Sequence, residues 1–217
     1  MMILCELKNI PYGPAQYLEY EAPEVRKNEI LRYSGVKPGS YDGDQTDELS
    51  RCDEVIKQAK DVFTYRVMAR HISLTAKTSD IPVLDIFRES KDLEKNLTGC
   101  AEAIVFAATV GAGIDHLIRR YERVEPSRSL MLQAHGAERV ESLCDVFNEE
   151  VKKQAEEAGY KTHPRFSPGY GDLPLKVQPM LLKFLDAEKR LGITLGESLM
   201  MSPSKSVTAI IGLEKTQ

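Results

Sequence analysis

The sequence predicts an α+β fold, a mostly antiparallel sheet with helices packed around it, in a single domain over residues 1–217. Three stretches carry that expectation. Residues 63–74 alternate, with Phe63, Tyr65, Val67 and Ala69 on one side, which is the two-residue period of a strand. Residues 101–110 are nearly all apolar, as in a strand covered on both faces. From Pro126 onward, Leu130, Met131, Ala134, Ala137, Val140, Leu143, Cys144 and Phe147 recur at helical spacing.

Taken in order, residues 1–20 read as an apolar strand and a turn at 11–14, where two prolines bracket Tyr12 and Gly13. Residues 22–33 read as a helix, with Pro23 suited to its first turn and Val25, Ile30 and Leu31 on one face; Gly35 ends it. A polar loop covers 37–45. Thr46 with Leu49 gives half a capping box, and Asp47 and Glu48 favour a helix start. That helix runs to about residue 62 with Cys52, Val55, Ile56 and Ala59 inward. Residues 76–98 hold a polar connection and a short helix at 82–97. After the apolar strand, Gly111 and Gly113 lead into a helix at 114–124, and the long helix from Pro126 ends near Gly159. Residues 161–174 form a loop, 177–191 an amphipathic helix stopped by Gly192, and 197–212 a turn leading into a terminal strand. A shift from charged to apolar sequence near residue 99 is the only internal boundary suggested.

With 42% hydrophobic and 29% charged residues the composition is that of an ordinary globular protein. A net charge of -4 without a lysine or arginine run argues against nucleic acid as a partner. No apolar run approaches the ~20 residues that cross a bilayer, and the start lacks the basic flank and apolar segment of a signal peptide. A cytoplasmic protein with no membrane partner is expected. Cys5, Cys52, Cys100 and Cys144 form no Cys-x-x-Cys pair, and His71, His116, His135 and His163 never fall three or four apart, so no metal site is expected. The cysteines are expected to be buried and inert.

Candidate chemistry concentrates in the run Arg-Phe-Ser-Pro-Gly-Tyr at 165–170, continued by Gly-Asp-Leu-Pro to 174. Pro168 excludes a helix and pushes Ser167 toward extended backbone, and Gly169 gives close backbone access. Such a rigid loop holds Arg165, a planar fork suited to a carboxylate, at a fixed separation from Tyr170, a flat face with a hydroxyl. That suits a small amphoteric ligand. Other features are weaker. Thr109 to Gly113 sits between a strand and a helix but lacks the third glycine of a dinucleotide fingerprint, and reads as a tight connection. Glu138, Glu141, Asp145 and Glu149 rise along one helix and read as a solvated acidic stripe, with Glu141 at the edge of the buried face. His135 and Cys144 face differently on that helix, so no nucleophile–base pair forms, and no catalytic residue is assigned.

Arg-x-x-Pro-Gly-Tyr at 165–170, the amphipathic helix ending in Leu-Gly-Ile-Thr-Leu at 191–195, and then Glu197, Ser198, Met201, Pro203, Ser206 and Val207 together resemble the activation domain of cobalamin-dependent methionine synthase. The resemblance is specific over residues 137–211. It implies the activation-domain fold and a binding loop for S-adenosylmethionine. Arg165 would hold the ligand carboxylate, Tyr170 would pack on or bond the ligand, the Pro168–Gly169 backbone would line the site, and Glu141 would lie near the ligand's positive charge. It further implies a transient cobalamin-carrying partner, a methionine synthase or another corrinoid protein, together with an electron donor. The chain would be a component of methionine synthase activity that supports reductive methylation of cob(II)alamin, rather than a self-sufficient enzyme. Ala209 stands where the family has glycine and Ser202 where it has tryptophan, and the family's early Ile-Asp-Trp-x-Pro-Phe-Phe segment has no counterpart. The family also continues into a further strand with a ligand-contacting aromatic, whereas this chain ends at Gln217. With no cobalamin-binding, folate or homocysteine module in the sequence, the resemblance implies a stand-alone short form serving a separately encoded methionine synthase. The alternatives are an adaptor that docks on a corrinoid protein without the ligand, and a methyltransferase with another substrate.

Overall fold

The computed structural model describes residues 3–4, 12–36, 45–77, 79–81 and 83–216. Along the chain run β1 (Gln16–Tyr20), α1 (Lys27–Tyr33), α2 (Gln45–Gln58), β2 (Tyr65–Ser73), α3 (Val83–Glu89), α4 (Lys91–Asn96), β3 (Cys100–Thr109), α5 (Gly113–Tyr121) and α6 (Pro126–Glu157). There follow β4 (Tyr160–Thr162), a 3-10 turn (Leu175–Val177), α7 (Gln178–Phe184), α8 (Ala187–Leu191), β5 (Thr194–Leu195), β6 (Met201–Ser202) and β7 (Ser206–Lys215). Five strands form one sheet in the order β1-β2-β3-β7-β4, every pair antiparallel, and β5 and β6 make a separate hairpin. The α+β expectation is met. Strands from both sides of residue 99 pair directly, since Val67 lies opposite Ala108.

The sheet is covered on both faces, and strand alternation divides the core accordingly. Ile104, Phe106 and Ala108 of β3 join Tyr65, Val67 and Ala69 of β2 in a cluster with α1, α2, α5 and α6. Ala103, Val105 and Ala107 face the other way, with Met68 and Ile72, into a cluster with α3, α4, α7 and α8. β3 therefore has to be apolar at every position from 103 to 108, and it lies centrally.

Several boundaries differ from the sequence reading, each for a local reason. The first helix begins at Lys27 instead of residue 22, because the Pro23 and Glu24 carbonyls accept from Arg139 Nη1 (2.6 Å) and Nη2 (2.7 Å). It ends as expected at Gly35 (φ 88), where Gly35 N–H donates to Arg32 and Val36 N–H to Leu31, a Schellman closure. The helix expected over 82–97 is two helices, because the Ser90 hydroxyl accepts from Leu93 N–H at 3.1 Å and caps a new one. The helix expected over 177–191 is broken at Asp186, whose backbone is left-handed (φ 54). Leu130, expected inward, is 54% exposed. The neighbouring Ser129 hydroxyl donates to the Ile118 carbonyl, so α5 covers that side and Leu130 faces out. The first described strand, Gln16–Tyr20, follows the 11–14 turn, and the strand expected before that turn falls mostly on residues outside those described. Most of residues 1–11, including Cys5, and the polar loop at 37–44 lie outside the described residues, as does the Thr46 side chain.

Candidate functional site

The motif loop is tied to the sheet before it turns. Beyond β4, the His163 N–H donates to the Gly212 carbonyl (2.9 Å), and Phe166 exchanges two 2.9 Å backbone bonds with Ile210, so the chain rides along the edge of β7. At Ser167 it reverses. Tyr170 N–H donates to Ser167 O at 3.1 Å, with Pro168 at the second position and Gly169 (φ 92) at the third. Proline there followed by a residue of positive φ is a type II turn, which accounts for the Pro-Gly pair. Beyond the turn, Asp172 accepts from the Lys91 and Asp92 amides at 2.8 and 3.2 Å and bonds the Ser90 hydroxyl, pinning the loop to the start of α4.

A cleft of about 330 Å³ opens beside this turn. Arg165, Pro168 and Tyr170 line it from the loop, Glu141 from α6, Gln178 from the first turn of α7, and Ser206, Val207 and Thr208 from β7. Four of the five expected site residues thus meet in one place. Gly169 is not among the lining residues; it shapes the turn, and a Cβ there would come within 3.2 Å of Leu175 Cδ2. Tyr170 stands at the mouth, 70% exposed. A larger groove, about 820 Å³, runs along α7, α8 and β5 past Leu182, Lys183, Asp186 and Ile193. None of residues 165–170 lines it, so the smaller cleft is the candidate site.

Charge is concentrated at one end of that cleft. Arg165 Nη2 donates to Glu141, and Nη1 donates to Asp145 Oδ1 at 2.9 Å. The other Asp145 oxygen accepts from Arg26 Nη1 at 2.7 Å, and Arg26 in turn reaches Glu138. Glu138 corrects the expectation of a solvated stripe: it is fully buried and accepts from Arg139 and from the Ser142 hydroxyl. Burial alone would raise its pKa, but the bonds from Arg139 and Ser142 outweigh that and hold it below the usual carboxylate value. Adjacent residues on a helix ordinarily do not face each other, so the Glu138–Arg139 pair has no signature in the residue order.

The neutral end carries unmet hydrogen-bonding capacity. Gln178 Oε1 and Thr208 Oγ1 are buried and have no partner among the described residues. By contrast, the Ser206 hydroxyl is engaged with Thr109 Oγ1 and the Pro203 carbonyl. Sequence reasoning passed over Gln178 and Thr208 as cleft-lining groups and Asp145 as a partner of Arg165. The only signal available lay in Met201, Ser206 and Val207, motif positions that also line the cleft.

The remaining candidates resolve into packing. A Cβ at Gly113 would lie 2.3 Å from the Val62 carbonyl oxygen, and one at Gly111 2.6 Å from Thr64 Oγ1. These glycines therefore serve a close strand-to-helix approach. His135 is buried edge-on to Phe63 with ring centroids 5.1 Å apart, and burial pulls its pKa down to about 4. Burial pushes the Cys144 thiol up to about 12 and those of Cys52 and Cys100 to about 11, so none of the three is a poised nucleophile. Among the described residues no group of three His, Cys, Asp or Glu side chains is placed to hold a metal, and no helix is long and apolar enough to cross a membrane.

Comparison with known proteins finds that the family described as "Vitamin B12 dependent methionine synthase, activation domain" matches residues 54–216. A solved structure described as "Crystal Structure of the MetH Reactivation Domain bound to AdoHcy" is similar with a TM-score of 0.62 at 17% identity, over 92% of this chain and 78% of that one. No curated protein matches.

Proposed function

From the premise that this chain belongs to the vitamin B12 dependent methionine synthase activation domain family, we propose that it binds S-adenosylmethionine in the cleft beside residues 165–170 and supports reductive methylation of cobalamin on a separately encoded partner. The observation that carries the reading is the make-up of that cleft. A guanidinium and a carboxylate stand at one end, and two buried polar atoms with no partner among the described residues stand on its wall. The donor set fits the ligand. Arg165 offers a fork for a carboxylate, Glu141 offers a negative charge to an ammonium or sulfonium, and Gln178 and Thr208 have bonds still to make. The similar structure bound to AdoHcy, the demethylated form of the same ligand, adds support.

When bound, S-adenosylmethionine supplies the methyl group, and the partner's cobalamin accepts it. This chain contributes position. Pro168 and Gly169 fix the turn, Asp172 anchors it to α4, and Arg165 and Glu141 orient the two charges of the ligand's amino-acid half. Tyr170, exposed at the mouth, packs on or bonds the ligand from the open side. The contact with the cobalamin-carrying partner is transient, an electron donor completes the reaction, and the complex works in the cytoplasm.

Calorimetric titration of S-adenosylmethionine into the wild type and Arg165→Ala tests this reading. Binding that weakens at least tenfold in the variant is the expected result. Absence of binding to the wild type, both alone and with a cobalamin-carrying methionine synthase present, overturns it. Partner docking indifferent to S-adenosylmethionine would then leave an adaptor, and methyl transfer without cobalamin a different methyltransferase.

A further inference from the structure

The cleft is divided by the strand that floors it. Glu141 comes from α6, whose Leu143 and Phe147 pack with Phe106 and Ala209 on one face of the sheet. Gln178 opens α7, whose Leu181 packs with Val105 and Ile210 on the opposite face. Alternation along β7 puts Thr208 on the same side as Ile210, the α7 side. One end of the cleft is therefore ionic and belongs to the α6 layer, and the other is uncharged, hydrogen-bonding and belongs to the α7 layer. Gln178 is 5% exposed and Thr208 2%, and both line the cleft, yet Gln178 Oε1 and Thr208 Oγ1 have no partner among the described residues. Leaving two such atoms unbonded is unfavourable for the fold itself. A ligand that supplies the missing bonds gives them a function.

Resting on the reading that the ligand is S-adenosylmethionine, we infer that Gln178 and Thr208 are its specificity-determining residues and bind the nucleoside half. The amino-acid half carries formal charge and belongs with Arg165 and Glu141. What remains is an uncharged heterocycle and sugar bearing N–H and O–H groups. Gln178 Oε1 is an acceptor only, so it takes a donor from that half. The Thr208 hydroxyl both donates and accepts, so it serves either kind of neighbouring atom. Discrimination follows because a ligand lacking those groups leaves both protein atoms unpaired in a buried wall.

The test uses two near-isosteric apolar variants, Gln178→Leu and Thr208→Val, and two probes. S-adenosylhomocysteine carries both halves of the ligand, and 5′-methylthioadenosine carries the nucleoside half without the amino acid. Affinities come from calorimetry, with the fragment measured by displacement. The expected result is a loss of about five- to tenfold for each variant, of similar size with both probes, the scale of one neutral hydrogen bond. Without ligand the melting temperature of each variant should stay level or rise, because an unpaired buried polar atom has been removed. Unchanged affinity for both probes, or a loss confined to S-adenosylhomocysteine, overturns the assignment while leaving the ligand itself in place. A lowered melting temperature with unchanged affinities also overturns it, by making these residues scaffold. Failure of the wild type to bind S-adenosylhomocysteine, both alone and with a cobalamin-carrying methionine synthase present, overturns the parent reading and this one together.

Discussion

Asp145 holds Arg165 by one carboxylate oxygen, which accepts from Nη1 at 2.9 Å, and holds Arg26 by the other at 2.7 Å. The guanidinium proposed to receive a ligand carboxylate is thus already engaged with two acidic residues, Asp145 and Glu141. A third carboxylate entering this cluster is attracted by Arg165 and repelled by its partners.

That balance predicts the effect of Asp145→Asn. The amide keeps an acceptor for Arg165 and removes one repelling charge, so S-adenosylhomocysteine should bind a few-fold more tightly. Asp145 is about half exposed, so the gain should shrink as salt is added. Calorimetry at low and high ionic strength measures it, and an unchanged or weaker affinity at low salt would place the ligand carboxylate away from Arg165.

Glu138→Gln should destabilise the fold by about 3–5 kcal/mol, because it leaves the Arg139 charge buried without its counter-ion. Both side chains are essentially inaccessible, at 0% and 1% exposure. Urea denaturation at neutral pH reads this directly, and a loss under ~1 kcal/mol would mean that the Pro23 and Glu24 carbonyls suffice to hold Arg139.

His135 gives the stability a defined pH dependence. Burial lowers its pKa from 6.5 to about 4 in the folded chain, so the unfolded chain binds the proton first. Its contribution, on the order of 3 kcal/mol, is complete above pH 6.5 and is lost as pH falls through about 4. Melting temperature should therefore drop between pH 7 and 4.5, and His135→Phe, which keeps an aromatic edge against Phe63, should flatten the drop. Identical slopes in the two proteins would rule His135 out as the source.

Gly113→Ala should cost about 1–3 kcal/mol by overpacking, since its Cβ would press on the Val62 carbonyl oxygen. Gly196→Ala is the control. A Cβ there meets nothing closer than 3.9 Å, so stability should stay within about 0.5 kcal/mol. Equal effects from the two substitutions would show that close approach is not what selects glycine at 113.

The parts of the fold legible in the sequence are those governed by neighbours along the chain. Alternation at 63–74 and the apolar run at 101–110 fall on β2 and β3, and Pro126 lies at the first turn of α6. Misplaced boundaries have distant causes. Arg139 takes the Pro23 and Glu24 carbonyls across 116 and 115 residues, and the Ser129 bond to Ile118 turns Leu130 outward. In the site, Arg165, Pro168 and Tyr170 were legible as one motif, and Glu141 through the family resemblance. Gln178 and Thr208 were not, since a glutamine at a helix start and a threonine in a strand carry no mark of lacking a partner.

The central strands, the long helix and the proline–glycine turn follow from residue order alone, because side-chain periodicity and the φ limits of proline and glycine act within a few residues. That Arg165 lies between Glu141 and Asp145, and that Gln178 Oε1 and Thr208 Oγ1 share its cleft with no partner among the described residues, follows only from how distant elements pack. Those relationships depend on where α6 and α7 settle on opposite faces of the sheet. That placement is fixed by the packing of two apolar cores, and such long-range burial leaves no local trace in the order of residues.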